Sequence, residues 1–593
     1  MIRSRVFLFF AAVSIVAGCS KEDSSSEGQE AQIQLLGGAN YYEVDSAPTR
    51  IEDITFTTTG AWSASVSYTT ADTGWITLEP RYGDKAGTYT MAAILKENDL
   101  GHTRTAVISV RCGTAQRIKI TVSQSCPPRI DTGNLAVTSP KLGTQNGNPL
   151  LDHYFCADPT AVEYQGRLYV YGTNDYQQYQ ESSTNNYDKI KSLVVMSTDD
   201  MVNWTFHGVI DVGAVAPWII ASWAPSVICK RQADGSPLFS LYFSNSGWGV
   251  GVLEASSPLG PWTSPLQKSL IDGDTEAVKG SGSIFDPGAV IDPDGTAWLS
   301  FGGTQGWIAR LGEDLHSFDG EPVKVPSQYH FEANELNYIG GSYVYTYNTN
   351  WQDHSGWAMG GTVPGPCSMI CLRSTDPLDY ESWDYVGMYF KNPGYNGFGY
   401  GNNHTHMQKF QDNWYLFYHT GMLQGAFDTD GGFRSISVDL IDVDESNVQI
   451  SECLPTREGV PALKNLSSFD RQTASTAAAT QNIVYNATSE AGHMTAAVGS
   501  PNLTAGAPET GVVEVRNVDF GSGAGAVRCL LRGGGMFSIR LDSLDGKDIA
   551  TVTDPGSSWK EETVTLTASV TGIHTLFLVM ERGIEVDTWQ FTN

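Results

Sequence analysis

Five short motifs recur along the middle of the chain, each directly before a strand-like segment. Three contain a carboxylate: Asp158 in Ala-Asp-Pro, Asp286 in Phe-Asp-Pro and Glu332 in Phe-Glu-Ala. The other two contain Trp223 and His404. A protonated carboxyl group can donate a proton to a leaving oxygen while an ionised one activates water, which is the pair that glycosidic hydrolysis requires. A third carboxylate nearby would raise the pKa of the acid by like-charge repulsion.

Each Asp-Pro step taken alone also fits an ordinary turn, because Asp and Pro are favoured there for backbone reasons. That reading does not explain why three carboxylates occupy equivalent positions in successive repeats. We therefore interpret Asp158, Asp286 and Glu332 as members of one site.

The repeats that carry these motifs are built from aromatic, alternating strands followed by polar turns. The clearest examples are 167–173, 240–246, 297–303, 342–348 and 414–420. Five such strands, spaced for blades of four strands each, predict a five-bladed β-propeller over 151–460. A propeller turns the start of each blade toward the central axis, so the five motifs would converge on one pocket.

The flanking regions are also β-rich, which makes the whole chain all-β. Alternating strands over 31–126 predict an immunoglobulin-like sandwich, and the Pro/Gly/Asn-rich segment 127–150 predicts a linker. A third β region spans 465–593 and is expected to form a jelly-roll sandwich.

The N-terminus carries the signals of export. Arg3 and Arg5 precede an apolar stretch that ends in Ala17-Gly18-Cys19. This predicts a signal peptide over 1–18, lipidation of Cys19 and a polar tether over 19–30. The alternative is an ordinary cleaved signal with an incidental cysteine. We expect an outer-membrane lipoprotein, secreted across the inner membrane, exposed at the surface and held to the membrane by its lipid alone.

The net charge of the chain disfavours some classes of binding partner, and its cysteines bear on disulfides and metal binding. With 36 basic and 65 acidic residues, the net charge is −29. Nucleic acid, which is itself negatively charged, would repel such a chain. The negative charge is compatible with a neutral ligand. We expect the protein to be a monomer. The chain has nine cysteines, and eight remain when Cys19 is set aside. We expect these eight to be buried thiols or to form one or two disulfides. Their spacing matches no metal-binding motif.

The region from about Asp158 to Val460 resembles glycoside hydrolase family 43, whose members are inverting enzymes on five-bladed propellers. The resemblance implies that Asp158 is the general base, Glu332 the general acid and Asp286 the residue that tunes the acid. Glu335 is a rival for the acid, but the match through the following strand favours Glu332 and leaves Glu335 a rim or structural role.

Within that family, four motifs resemble arabinoxylan arabinofuranohydrolases: 391–395, 401–404, 414–419 and 433–435. The resemblance implies that His404 lies at the bottom of the pocket and can help to hold a calcium ion through water. It also implies that Arg434 reaches the same pocket, and Trp223 is a further candidate for substrate binding. His406 and His419 are interpreted as strand packing.

The implied activity is removal of α-L-arabinofuranosyl groups from a plant polysaccharide or oligosaccharide such as arabinoxylan or arabinan. The alternatives are a β-xylosidase, an endo-arabinanase, or a non-catalytic glycan-binding surface lipoprotein. Calcium is the one cofactor expected.

The outer regions resemble known accessory domains. Residues 31–126 resemble the BACON domain, read as a spacer rather than a glycan binder. Residues 465–593 resemble carbohydrate-binding module family 6, in which Trp559 would be one stacking aromatic, while Glu585 stands where an asparagine is expected. That region is therefore either a glycan-binding module or structural support.

If the propeller is self-sufficient, truncation after about Val460 should leave activity on short oligosaccharides.

Overall fold

A computed structural model describes residues 3–4, 31–98, 100–115, 117–126 and 128–593. Cys19 and most of the expected signal peptide and tether lie outside these residues. The chain divides into two compact units, Met1–Asp131 and Thr132–Asn593. In the described residues no helix is long and apolar enough to cross a membrane. Strands dominate both units, so the all-β class is confirmed.

The first unit is a sandwich of two sheets around one apolar core. One sheet contains, in order across the sheet, Tyr41–Val44, Ile118–Gln124, Arg104–Cys112, Trp62–Tyr68 and Tyr82–Gly83. The other contains Ile33–Gly37, Thr49–Thr58, Gly87–Leu95 and Ile76–Glu79. Phe56, Ile108 and Val122 are fully buried between the sheets. Alternation of buried and more exposed residues along most of these strands produces the two-faced sheets that such packing needs.

The second unit begins with five antiparallel sheets, which are the blades of a propeller. The first three comprise Ala157–Tyr164, Arg167–Thr173, Leu193–Thr198 and Trp204–Ile210; Pro225–Arg231, Pro237–Asn245, Gly249–Ala255 and Ile271–Asp272; and Gly288–Ile291, Ala297–Phe301, Trp307–Arg310 and Val323–Lys324. The last two comprise His330–Ile339, Ser342–Thr349, Met369–Ser374 and Asp384–Phe390; and Thr405–Phe410, Asn413–Thr420 and Ser435–Leu440. The five-bladed prediction is confirmed.

The blades close into a ring. The innermost strand of each blade packs on that of the next, and Thr405–Phe410 packs on Ala157–Tyr164. The outer edge of the last blade is covered by the segment that precedes the first: Leu150 N–H donates to the carbonyl of Ile436 (2.8 Å). Covering this edge satisfies backbone groups that would otherwise be open to another strand.

The short helices lie between strands. The α-helices are Asp175–Glu181 and Val212–Val215, and the 3-10 helices are Tyr187–Lys189, Glu276–Val278, Tyr380–Ser382, Pro393–Asn396 and Gln424–Phe427. A small hairpin, Val443–Asp444 with Gln449–Ile450, follows the last blade.

The C-terminal region forms a second sandwich. Its first sheet contains Leu466–Ser467, Thr510–Asp519, Ile573–Glu581, Met536–Leu541 and Asp548–Thr553, with Ala479–Gln481 beside Thr510–Asp519. Its second contains Ile483–Ala487, Met494–Val498, Ile584–Thr592, Ala524–Gly533 and Gly556–Val570, with Gln472–Thr473 beside Ile584–Thr592. Val527, Phe537 and Trp589 are buried in its core.

The propeller and this sandwich are joined more closely than the sequence predicts. Thr476–Ala477 pairs with Trp204–Ile210 and so adds a fifth strand to the first blade. Asn203 also exchanges hydrogen bonds with the main chain of Arg516, at 2.8 and 2.9 Å. The outer edge of the first blade is therefore completed by a strand that lies beyond Val460, the expected end of the propeller.

The sequence left open whether the cysteines are thiols or form disulfides, and the structure shows thiols. Cys112, Cys126, Cys156, Cys229, Cys367, Cys371, Cys453 and Cys529 are all free thiols, six of them buried.

Candidate active site

The three carboxylates lie where the inner strands of their blades begin. Asp158 and Asp286 adopt left-handed backbone conformations (φ 49° and 50°), as does Ala333 directly after Glu332 (φ 62°). The ladder of the first blade shifts register between Ala157 and Thr160, and that of the fourth between Glu332 and Glu335. Such bulges re-aim side chains, and left-handed non-glycine residues concentrate at functional sites.

Asp158 is buried among hydrogen-bond donors. Its Oδ1 lies 2.8 Å from Nη1 of Arg434, and its Oδ2 accepts a 2.7 Å hydrogen bond from Thr173 Oγ1. Nδ1 of His404 is 3.6 Å from Oδ1. Burial opposes ionisation of Asp158, but Arg434 and the nearby His419 and His404 outweigh it and lower its pKa. Asp158 is therefore the ionised carboxylate that a general base requires.

Asp286 is held by main-chain and hydroxyl groups. Its N–H donates to Ser244 Oγ (2.8 Å), and its Oδ2 accepts from the main-chain N–H of Ala333 (2.7 Å). Burial, followed by the charge of Asp158, raises the pKa of Asp286 to about 7.

Glu332 has the opposite character to Asp158. Its Oε1 is buried and has no hydrogen-bond partner among the described residues. Burial, then the charges of Asp286 and Asp158, raise the pKa of Glu332 well above its usual value. A protonated carboxyl with a free oxygen can donate to a leaving group. The site thus contains one ionised and one protonated carboxyl, separated in pKa by their surroundings.

Arg434 reaches the pocket, and its main partner is a residue that sequence reasoning missed. Asp175 accepts hydrogen bonds from Nε and Nη2 of Arg434 at 2.9 and 2.8 Å, a bidentate pair. The guanidinium also lies over the ring of Tyr187, 5.0 Å from its centroid. The cap residue Asn174 could have indicated a helix start, but no local signal links Asp175 to an arginine 259 positions away.

Trp223 contacts Tyr187, the residue whose ring lies under the guanidinium of Arg434. Its indole N–H donates to the carbonyl of Tyr187 (2.9 Å), and its ring makes edge contacts with Tyr187 and Phe285. A pocket of about 160 Å³ opens next to Arg434 and is also lined by Asn402 and His419; none of the three carboxylates is part of its lining.

His419, interpreted from the sequence as strand packing, is buried on the strand Asn413–Thr420 and also contacts Asp158. Its Nδ1 accepts a 3.2 Å hydrogen bond from the main-chain N–H of Asp158, and its Nε2 donates to the carbonyl of Asn402 (3.0 Å). It therefore belongs to the surroundings of Asp158.

Glu335 lies elsewhere. Its Oε2 is 2.9 Å from Nδ1 of His406, and both side chains are buried. The two residues line a separate cavity of about 440 Å³, whose lining includes none of the three carboxylates. This placement favours Glu332 over Glu335 as the acid.

His404 is the residue that the family resemblance connects with calcium. Burial is the main cause that lowers its pKa to about 4, so the ring is neutral and able to accept a hydrogen bond from water. Among the described residues no three His, Cys, Asp or Glu side chains form a group that could hold a metal directly.

Trp559 lies on the long edge strand Gly556–Val570 and is 38% exposed. The guanidinium of Arg532 sits 4.6 Å from its ring centroid, and Glu585 binds that guanidinium at 2.6 Å. One face of the expected stacking aromatic is therefore already covered by an arginine.

A five-bladed propeller that gathers an ionised aspartate, a protonated glutamate and a third carboxylate at its axis is the architecture of a glycoside hydrolase. Comparison with known proteins agrees. The family model described as "Glycosyl hydrolases family 43" matches residues 147–446, and the chain belongs to that family. The model described as "Viral BACON domain" matches residues 39–127.

The most similar relatives include two proteins named arabinoxylan arabinofuranohydrolase. That of Bacillus subtilis (strain 168) is 34% identical over 494 residues, covering 75% of this chain and 92% of the relative. That of Paenibacillus polymyxa is 32% identical over 491 residues, covering 75% and 74%. A crystal structure of a Bacillus subtilis family 43 arabinoxylan arabinofuranohydrolase in complex with cellotetraose aligns with a TM-score of 0.69 at 31% identity, covering 77% of this chain and 100% of that one.

Proposed function

We propose that this protein is an inverting glycoside hydrolase that removes α-L-arabinofuranosyl groups from a plant polysaccharide such as arabinoxylan or arabinan. The observation that carries the proposal is the opposite protonation of Asp158 and Glu332 in one buried site. The sugar is supported by the two arabinoxylan arabinofuranohydrolases, which match three quarters of the chain.

The roles follow from the contacts. Asp158, held ionised by Arg434, accepts a proton from the attacking water. Glu332, held protonated by burial and by Asp286, donates its proton to the glycosidic oxygen. In an inverting enzyme the two act on opposite faces of the sugar ring, with room for a water between them.

The face that carries the site also offers surface for a polymer. Inner strands begin at this face, so the loops after second strands and before inner strands lie on it. Trp248, Trp351, Tyr395 and Tyr400 occupy such loops and are 49–64% exposed. Exposed aromatic rings provide apolar faces for sugar rings. This favours a polysaccharide or a branched oligosaccharide over a small free glycoside.

Two other enzymatic activities remain as alternatives within the family, a β-xylosidase and an endo-arabinanase. The loops around the pocket, rather than the carboxylates, determine which glycosidic bond is cleaved. A non-catalytic glycan-binding lipoprotein is disfavoured, because a binding protein has no need of a buried carboxyl pair with divergent pKa values.

The experiment is to incubate the chain with wheat arabinoxylan and, in parallel, with sugar-beet arabinan, and to identify the released sugars by anion-exchange chromatography. Free arabinose alone supports the proposal. Free xylose identifies the β-xylosidase, and arabino-oligosaccharides identify the endo-arabinanase. No release from either polymer, with binding retained, identifies a capture protein.

The proposal includes export and a lipid anchor at Cys19, supported by the sequence around that residue. In the native host the protein should partition into the detergent phase, and Cys19→Ser should move it to the aqueous phase. If the wild-type protein is also aqueous, the signal is an ordinary cleaved one.

Two smaller proposals concern ligands. A calcium ion held through water near His404 is supported by the neutral state of that ring; chelation with EDTA should then lower the thermal midpoint, and calcium should restore it. Glycan binding at Trp559 is the weaker alternative to structural support, since Arg532 covers one face of the ring. Retardation of the protein in xylan gels, lost in Trp559→Ala, would favour binding.

A further inference from the structure

Arg434 is hydrogen-bonded to the first residue of a short helix. Asp175, the first residue of the helix Asp175–Glu181, accepts hydrogen bonds from Nε and Nη2 of Arg434 and from its main-chain N–H (2.9 Å). All three contacts converge on one fully buried carboxylate. Because Asp175 belongs to the first turn, its position follows that of the helix as a whole.

The same helix is bonded to the C-terminal sandwich. The hydroxyl of Tyr176 donates to the carbonyl of Pro501 at 2.6 Å. The hydroxyl of Tyr179 donates to Oδ1 of Asn502 and accepts from the N–H of Leu503, both at 3.2 Å. These bonds join segments more than 320 residues apart in sequence, and they attach the helix to the loop 500–503 that precedes the strand Thr510–Asp519.

An apolar cluster links the helix to Arg434 a second time. Tyr176 and Tyr179 pack in it with Phe155, Leu423, Phe427 and Phe433. The rings of Tyr179 and Phe433 meet at 5.2 Å, and Phe433 directly precedes Arg434. The carboxylate that binds the arginine therefore belongs to this helix, and the residue that precedes the arginine packs against it.

We propose that the loop 500–503 of the C-terminal sandwich is a positioning element of the active site, which fixes the helix Asp175–Glu181 and through it holds Arg434 against Asp158. Tyr176 and Tyr179 are the positioning residues. The sandwich contributes to the chemistry in this way without touching the sugar. Displacements of about 1 Å can cost up to ~10²-fold in rate when they disturb reacting groups.

The test uses the full-length chain with the double substitution Tyr176→Phe and Tyr179→Phe. The matched control is Tyr171→Phe. The hydroxyl of Tyr171, on the strand Arg167–Thr173, also donates to a proline carbonyl (2.7 Å), but this is Pro258, which follows the strand Gly249–Ala255 of the second blade and is not part of the C-terminal sandwich. The substrate is 4-nitrophenyl α-L-arabinofuranoside, a small molecule that a polymer-capturing module would not help to bind.

The double variant should lower kcat by about threefold or more with little change in KM. The acid limb of its kcat/KM profile should move to higher pH, because a displaced Arg434 lowers the pKa of Asp158 less. Tyr171→Phe should change neither quantity. Equal kcat and pH profiles for the double variant and the control would overturn the proposal.

A second comparison tests the sandwich side of the contact. Asn502→Ala removes the acceptor for Tyr179, whereas Asn502→Asp keeps an oxygen there. Asn502→Ala should reproduce the loss of kcat and Asn502→Asp should restore it; equal activity of the two would count against the proposal. This inference rests on hydrolysis but not on the sugar. If the wild-type chain cleaves only the matching xyloside, the assigned sugar fails, and the same variants are compared on that substrate.

Discussion

The main-chain N–H of Ala333 donates a 2.7 Å hydrogen bond to Oδ2 of Asp286. Asp286, one of the charges that raise the pKa of Glu332, is thus bonded to the residue directly after Glu332. The left-handed backbone of Ala333 makes this contact part of the bulge that opens the fourth blade. The carboxylate of Asp286 is therefore tied to the main chain of the fourth blade directly beside Glu332.

The pH dependence of Asp286→Asn tests this coupling. In the proposed mechanism, activity requires protonated Glu332 and is lost as pH rises through its pKa, so the pKa of Glu332 sets the alkaline limb. Removing the negative charge of Asp286 lowers that pKa, and the alkaline limb of kcat/KM should move to lower pH. The profile should be measured on an arabinoxylo-oligosaccharide, whose poor leaving group needs the acid. An unmoved alkaline limb would mean that Asp286 does not tune Glu332.

Substitution of the three carboxylates should separate them from Glu335. Asp158→Ala, Asp286→Asn and Glu332→Gln should each lower kcat by at least ~10²-fold, the scale of losing general acid–base help.

Glu335→Gln is the matched control, since Glu335 is a buried glutamate of the same strand that pairs with His406 away from the site. It should lower the free energy of unfolding by about 1–3 kcal/mol while changing kcat far less. An indispensable Glu335 with a dispensable Glu332 would show that the acid is misassigned.

Arg434→Lys keeps the charge but cannot form the bidentate pair with Asp175 and reach Asp158 at once. We expect kcat/KM to fall by about tenfold or more. In the proposed mechanism Asp158 acts when ionised, so activity is lost as pH falls through its pKa. A more distant cation lowers that pKa less, which moves the acid limb to higher pH. A variant with the wild-type acid limb would contradict the role given to Arg434.

Truncation after Val460 should yield a protein that is insoluble or unfolds at a clearly lower temperature than the full chain. The truncation removes the strand Thr476–Ala477 from the first blade and leaves the edge of Trp204–Ile210 unpaired. Differential scanning calorimetry of the two chains makes the comparison. A truncated propeller with an unchanged transition and full activity on short oligosaccharides would support the view that it is self-sufficient.

The parts of the site that the sequence revealed are those with a local signal. Asp158, Asp286 and Glu332 each follow a recurring pattern at the start of a blade, and the propeller repeats that pattern in space. Alternation along long strands such as Ser342–Thr349 identified the blades for the same reason.

The parts that the sequence missed depend on contacts between distant segments. Asp175 meets Arg434 only after the ring closes, and His419 reaches Asp158 across the junction of the last and first blades. The strand Thr476–Ala477 is too short to show any periodicity, and its Ser/Thr/Ala-rich surroundings look like a linker. Tertiary pairing rather than local propensity decides such segments.

The central claim is that Asp158 activates a water which attacks the sugar while Glu332 protonates the leaving oxygen from the opposite face. Proton NMR of the sugar released in the first turnovers from an arabinoxylo-oligosaccharide tests it most directly, before mutarotation mixes the anomers. β-L-Arabinofuranose should appear first, with the configuration inverted from the α-linked substrate. Initial release of the α-anomer, or a glycosyl adduct trapped on Asp158, Asp286 or Glu332, would contradict it.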